Sequence, residues 1–147
     1  MFIPKLAHFL PALFIFGLSL EGFAQGPVSD SVTTEYEICV SSVALTSDET
    51  ARSLEACVEQ AIETCLDVED IWLCFSELAK NIESTNASLA SALMQNNSNF
   101  SREIAIVQYE HSIYNWKCLE HDEANLVSYC TLVAEMAQMA RLLELKK

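Results

Sequence analysis

Six cysteines are the residues whose type and spacing favour a definite chemistry in this sequence. No two of them form a Cys-x-x-Cys pair, the chelating turn of many zinc sites. An even number of cysteines in a small exported domain favours disulfide bonds over free thiols or zinc. We therefore expect every cysteine to be paired and no metal to be bound. The cysteines are Cys39, Cys57, Cys65, Cys74, Cys118 and Cys130.

Other candidate catalytic or metal-ligating residues are few. Beyond the segment expected to be cleaved, the histidines are His111 and His121, and their ten-residue separation does not match the one-turn spacing of paired helical zinc ligands. His111 follows Ile104 and Val107 on an apolar line, which is typical of a core or boundary position. No cysteine is left over as a nucleophile. We expect no enzyme activity and no cofactor.

Acidic residues follow a regular pattern that predicts a different kind of site. Glu55, Glu59 and Glu63 recur every four residues, and no Lys or Arg lies between Arg52 and Lys80. The three glutamates would line one edge of a helix, either as a solvated face or as a docking edge for a basic protein. The formal net charge of −13 opposes nucleic-acid binding, which needs clustered Lys and Arg.

The beginning of the chain predicts export. Lys5 is followed by an apolar run at 9–20 that is short for a bilayer span, and the small residues Gly22 and Ala24 come next. This is the three-part pattern of a secretory signal peptide, with an uncleaved membrane anchor as the alternative. No second apolar run follows, so we expect no membrane span after cleavage and a periplasmic or secreted protein.

The elements that must position these residues are predicted to be helices. All glycines and prolines lie within the first 27 positions, whereas hairpin turns and glycine-rich phosphate loops need such residues. Apolar residues recur at three-and-four spacing. We expect an all-α, disulfide-stapled bundle, with a signal peptide at 1–24, a flexible leader at 25–30 and one helical cysteine-rich domain at 31–147. The expected helices are 31–45, 48–65, 69–95, 100–120 and 124–145.

Polar residues at the breaks predict how the helices begin. Thr46 and Glu49 fit a capping box at the second helix, Asp67 can cap the third, and Asp122 can cap the fifth. The Asn- and Ser-rich segment at 96–99 lies between the two longest predicted helices. It is predicted to join them as an antiparallel pair.

Those breaks also suggest a disulfide pairing. In an antiparallel helix pair, residues equidistant from the turn face each other, and three cysteine pairs have their midpoints at predicted turns. Cysteines eight apart on one helix would lie about 12 Å from each other, too far for a bond. Six cysteines allow fifteen pairings, and the sequence alone does not choose among them. The preferred pairs are Cys39 with Cys57, Cys65 with Cys74, and Cys118 with Cys130.

Two tryptophans stand close to cysteines in the sequence. Trp72 lies two residues before Cys74, and Trp116 lies two residues before Cys118. Large aromatic side chains beside cysteines are typical of cores. We expect both rings to pack against disulfides rather than to bind a ligand.

Spaced motifs at 36–145 carry a resemblance to a known family. They are Cys-x-x-Glu-Leu at 74–78 with Asn86 nine residues after its Glu, a Gln-, Tyr- and Trp-bearing stretch at 108–118, and Arg-Leu-Leu-Glu-Leu at 141–145. With an export signal before them, they resemble the bacterial LprI-type lysozyme-inhibitor domain. The resemblance implies that family's fold and inhibition of a lysozyme. Asn81-Ile82 stands where such domains usually carry Trp-Asp, so no inhibitory residue is carried over.

Two classes of function follow from these observations. The first is an exported binding module that holds a cationic hydrolase such as a lysozyme through its acidic surface. The second is an envelope protein with a structural or assembly role and no hydrolase target. Salt distinguishes them, because an electrostatically steered interface loses association rate as ionic strength rises. The sequence leaves the oligomeric state open.

Overall fold

A computed structural model describes residues 27–45 and 47–146 of the chain. These residues form five α-helices and one short 3-10 helix, and no strand occurs among them. None of the described helices is long and apolar enough to cross a membrane. The helices, together with the disulfides described below, confirm the expected all-α, disulfide-stapled bundle. The helices are α1 (Pro27–Ser41), α2 (Thr50–Leu66), α3 (Ile71–Asn96), the 3-10 helix η1 (Ser98–Phe100), α4 (Ser101–Leu119) and α5 (Ala124–Glu144).

The first helix begins earlier than the sequence predicted. Pro27 is its first residue, so 27–30, which was expected to belong to a flexible leader, is helical. Proline suits the first helical position because its missing N–H would have no partner there and its φ is already helical. Positions 1–26, which include the predicted signal peptide and the rest of the leader, lie outside the described residues.

The core is built around α3 and α5, which pack against each other along their lengths. Helices α1 and α2 pack on α3 from one side, and α4 packs on α5. Leu54, Leu78, Ile82, Leu89 and Leu142 have no exposed surface. Burying a Leu or Ile side chain contributes on the order of 2 kcal/mol. The three-and-four spacing that predicted the helices thus also marks the side chains that hold them together.

The disulfides confirm the hairpin pairing. Each one joins two consecutive helices across a turn, and no described cysteine is free. They connect α1 to α2, α2 to α3, and α4 to α5. Disulfides of this kind form and persist in oxidising compartments. The bonds are Cys39–Cys57, Cys65–Cys74 and Cys118–Cys130, with sequence separations of 18, 9 and 12.

The predicted helix caps were mostly wrong. Glu49 directly precedes α2 and makes no side-chain cap, so it does not occupy the third helical position that a capping box requires, and Thr46 lies outside the described residues. The cap of α3 is Asp70, whose carboxylate accepts a hydrogen bond from the backbone N–H of Leu73. Asp67 instead directly follows the last residue of α2, Leu66, because α3 begins at Ile71 and not at the expected position 69.

Helices α3 and α4 do not form the predicted antiparallel pair. The 3-10 helix η1 stands between them, and α5 packs against both. The fifth helix begins after Glu123, which makes no side-chain cap, and Asp122 is therefore not its cap. The apolar side of α3 is covered by α5 in place of α4, so residues that are far apart in the chain meet between these two helices.

A polar contact ties α1 to α3 inside the core. The Tyr36 hydroxyl donates a hydrogen bond to Thr85 Oγ1 at 3.1 Å, and both side chains are buried. Thr85 in turn donates to the backbone carbonyl of Asn81. Burial raises the pKa of Tyr36, and the hydrogen bond to Thr85 opposes that increase. The one polar interruption in the apolar line of α3 therefore has a structural partner.

Candidate functional site

The predicted acidic edge lies on the outer face of α2. Glu55, Glu59 and Glu63 are all exposed, and none takes part in an ion pair among the described residues. Lys80, the next base along the chain, is paired with Glu77 at 2.7 Å. The negative charge of the edge is therefore not neutralised by the described basic side chains.

Part of this edge borders a groove between α2 and α5. Glu55 and Glu59 line the groove and Glu63 does not. The groove has a volume of about 180 Å³. The structure thus separates the three glutamates into two that border a concave surface and one that stands on the open helix face. The other lining residues are Val58, Met136, Met139, Ala140 and Leu143.

The groove combines an apolar floor with an acidic border. Met139 and Leu143 are buried parts of the core, and Met136 is half-buried. A Lys or Arg side chain has an apolar stem and a charged end, and such side chains place the stem on apolar surface. The charged end would then reach carboxylates, which accept charge-assisted hydrogen bonds. The groove is chemically suited to a basic side chain from another protein.

A buried polar cluster joins α3, α4 and α5. His111 Nε2 lies 2.7 Å from Glu135 Oε1, and the Glu135 side chain is only 2% exposed. Asn86 Nδ2 donates to the backbone carbonyl of Glu135 at 3.0 Å and to its Oε2 at 3.1 Å. Gln138 Oε1 lies 3.2 Å from the same amide nitrogen. Each oxygen of the buried carboxylate therefore has a hydrogen-bonding partner.

The cluster changes the titration of its histidine. The hydrogen bond to Glu135 raises the pKa of His111, burial opposes this, and the negative charges of Glu135 and Glu83 add to the increase. The protonated imidazole is thereby favoured beside the carboxylate. His111 is indeed a boundary residue, but its pairing with Glu135 was not predicted from the sequence.

A sequence signal for this cluster existed. Glu135 stands between Leu132 and Met139 at three-and-four spacing, so it occupies a position on the buried face of α5. His111 occupies the equivalent kind of position on α4. A polar residue on each of two neighbouring apolar faces predicts a buried pair, because a buried charge needs a partner.

A larger groove of about 500 Å³ runs between α4 and α5. His111 lines it together with Tyr114, Lys117 and Arg141. The two basic residues, Lys117 and Arg141, already have partners in the chain. Lys117 lies 5.9 Å from the centre of the Tyr114 ring, and Arg141 pairs with Glu144 at 3.2 Å. Among the residues that the structure describes, no group of three His, Cys, Asp or Glu side chains could hold a metal ion.

The two tryptophans do not pack as predicted. Trp116 is 69% exposed and its indole N–H donates to Glu120 Oε1 at 3.1 Å, while Trp72 is 37% exposed and meets the ring of Phe75 edge-on. Both lie two residues from a cysteine, which on a helix is about 200° around the axis. A residue two positions from a buried cysteine on the same helix therefore faces solvent.

Comparisons with known proteins found no match that would assign a function to these grooves and clusters. No protein-family model, no curated protein and no solved structure matches the chain. The resemblance to LprI-type lysozyme inhibitors thus stays a hypothesis that depends on the motifs quoted above.

Proposed function

We propose that this protein is an exported, non-enzymatic binding module that holds a basic protein in the acidic groove between α2 and α5. The observation that carries the proposal is the position of Glu55 and Glu59 on the border of an apolar groove floored in part by Met136. The two carboxylates supply charge, and the groove supplies a shape into which a basic side chain fits.

The charge of the whole chain supports this proposal. The formal net charge of −13 attracts basic proteins and raises their rate of association. The acidic edge then gives the encounter a preferred location, because like charges recur every four residues on α2 without an intervening base. Keeping such charges together costs a few tenths of a kcal/mol per pair in the free protein, a repulsion that a cationic partner relieves.

A cationic muramidase is the partner that we propose to test first. Lysozymes are typically basic, and the resemblance to lysozyme inhibitors implies such a target. Three disulfides support an oxidising location, which agrees with a periplasmic or secreted protein and with a signal peptide at 1–24. A hydrolase that acts on the cell wall would be met in that location.

The test is binding of the oxidised protein, residues 25–147, to a basic lysozyme by surface plasmon resonance, together with the lysozyme's activity on peptidoglycan. The double variant Glu55→Gln with Glu59→Gln removes the charge on the groove. The matched control, Glu37→Gln with Glu123→Gln, removes equal charge from two other exposed residues, on α1 and before α5. We expect the groove variant to lose about tenfold in association rate at low salt and the control to lose much less.

Glu63→Gln refines the assignment. Because Glu63 does not line the groove, adding this change to the groove variant should weaken binding only slightly further. Equal losses in the groove variant and the control would mean that net charge alone attracts the lysozyme. If the parent protein does not bind lysozyme at any salt concentration, the structural or assembly role in the envelope becomes the better hypothesis.

A further inference from the structure

Helix α4 carries a second apolar face that the core does not use. Ile106, Tyr109, Ile113 and Trp116 are 46%, 67%, 40% and 69% exposed, respectively. Their spacing of three, four and three residues places them on one line along the helix. We call these four residues the α4 stripe. The buried residues of α4, such as Ile104, lie on the opposite side of the helix.

Little of the described chain is positioned to cover the α4 stripe. Among the described elements, α4 packs extensively only on α5 and on η1. Contiguous exposed apolar surface of this kind is uncommon on monomeric proteins and marks interaction sites. Two of the four side chains are aromatic, the residue class most enriched in the centres of protein interfaces.

The charges at the two ends of the stripe are complementary. Arg102 lies four residues before Ile106, and Glu120 lies four residues after Trp116, so both continue the same line on the helix surface. Neither charge takes part in an ion pair among the described residues. The Glu120 carboxylate accepts the hydrogen bond of the Trp116 indole, which holds it beside the end of the stripe.

These positions are arranged symmetrically about position 111. Ile106 and Trp116 are each five residues from it, Tyr109 and Ile113 are each two residues from it, and Arg102 and Glu120 are each nine residues from it. When two copies of a helix pair in antiparallel orientation about that centre, each residue meets its counterpart. An isologous contact with twofold symmetry is the commonest form of a homodimer.

We propose that a second copy of this chain covers the α4 stripe, so that the protein forms a dimer through antiparallel pairing of the two α4 helices. Ile106 of one copy packs against Trp116 of the other, and Tyr109 packs against Ile113. Arg102 of each copy then pairs with Glu120 of the other. A parallel arrangement would instead place Arg102 beside Arg102 and Glu120 beside Glu120, so the charges select the antiparallel direction.

The length of the helix suits this pairing. The 19 residues of α4 extend over about 28 Å, and the stripe itself occupies about 15 Å of that length. The apolar side chains supply most of the affinity, since exposed ion pairs contribute little. The dimer uses none of the residues that line the α2–α5 groove. The proposal is therefore independent of the proposed binding of a basic protein.

Sedimentation velocity of the oxidised mature protein, from about 1 to about 100 µM, measures the dimer. Tyr109→Lys tests the stripe, and Ile38→Lys is its control because Ile38 is similarly exposed, at 64%, on α1. Arg102→Glu and Glu120→Arg each set like charges against each other in both symmetric contacts. The double variant carrying both changes restores opposite charges at each contact.

We expect the parent and Ile38→Lys to dimerise in this range and Tyr109→Lys to stay monomeric while keeping its helical circular dichroism. Each single charge variant should raise the dissociation constant by about tenfold, and the double variant should return to within about twofold of the parent. A parent protein that stays monomeric overturns the proposal. This holds also if the monomeric parent binds phosphatidylcholine vesicles through the α4 stripe. Single charge variants that dimerise as tightly as the parent also overturn it.

Discussion

His111 on α4 and Glu135 on α5 form a close pair, with 2.7 Å between Nε2 and Oε1, at a point where the glutamate is almost completely buried. Asn86 on α3 donates to the other carboxylate oxygen. One buried carboxylate therefore links three successive α-helices, α3, α4 and α5. Breaking a buried pair by removing one partner is strongly destabilising, because the remaining charge is left without compensation.

The first prediction concerns stability and pH. Since the hydrogen bond to Glu135 raises the pKa of His111 above 6.5, the folded protein holds this proton more tightly than the unfolded chain does. The stabilisation is fully present below about pH 6.5 and is lost as the pH rises through the folded-state pKa of His111. We expect the free energy of unfolding, measured with urea between about pH 5.5 and pH 9, to fall across that interval.

A matched pair of variants isolates this contribution. His111→Gln keeps a donor near Glu135 but cannot ionise, so its free energy of unfolding should depend less on pH than that of the parent. His121→Gln is the control, because His121 is exposed and has no ion pair among the described residues. A pH profile for His111→Gln that coincides with the parent's would refute the role of the pair.

The second prediction concerns Asn86. Replacing it with Ala removes one donor from the buried carboxylate and should destabilise the fold by about 1–3 kcal/mol. Asn86→Asp has almost the same shape but places a second carboxylate about 3 Å from Glu135. At neutral pH it should be the more destabilising of the two. It should partly recover near pH 5, where a shared proton relieves the repulsion. Urea unfolding at both pH values decides this, and an Asp variant as stable as the parent at neutral pH would contradict it.

The part of the fold that the sequence predicts well is governed by local spacing. The disulfides follow from the positions of cysteines around turns, because a helical hairpin brings residues equidistant from the turn together. Cys65 and Cys74 illustrate this: they are nine residues apart and flank the turn before Asp70. The acidic edge follows in the same way from a repeat of four residues, since it depends on one helix alone.

What the sequence does not predict depends on which helices become neighbours. That Glu55 borders a groove with Met136 requires α2 to lie against α5, which no local pattern indicates. Likewise, α4 is apolar on two sides, so its periodicity does not reveal which side is buried. Trp116 was expected in the core because it stands close to Cys118 in the sequence, although it lies on the exposed side.

The third prediction concerns the disulfides. Replacing a cysteine pair with alanines should cost about 2–4 kcal/mol of stability, because the unfolded chain gains conformational freedom. The bond between Cys39 and Cys57 closes a separation of 18 residues, twice that of 9 between Cys65 and Cys74. Doubling a loop adds about 0.6 kcal/mol to the expected loss. Urea unfolding of the two double variants measures the difference, and a clearly larger loss for the shorter loop would contradict the entropic explanation.

The redox state is checked on the parent protein. Protein purified from an oxidising compartment should begin at or near Gln25 and should bind no thiol reagent before reduction, as measured by intact mass spectrometry. All six cysteines are paired in the structure. Labelling of the cysteines without prior reduction would overturn both the pairing and the expected export.

The last prediction tests the α2–α5 groove by filling it while leaving both glutamates in place. Met136 is half-buried and lines the groove with Glu55 and Glu59. Met136→Lys introduces a cation whose stem can follow the apolar floor and whose ammonium can reach the carboxylates, as we propose that a partner's side chain does. The introduced lysine would then occupy the groove and exclude the partner's basic side chain from it. Binding to a basic lysozyme should weaken by about tenfold or more, in excess of the effect of one added charge elsewhere.

Two controls make this result specific. Met136→Leu keeps the groove apolar and open, so its binding should match that of the parent, and such an exchange costs less than about 1.5 kcal/mol of stability. Ile38→Lys adds the same charge on exposed α1 and should weaken binding only slightly. If Met136→Lys and Ile38→Lys bind lysozyme equally well, the partner does not enter the groove. A selective loss in Met136→Lys would place the partner's basic side chain between Glu55 and Glu59.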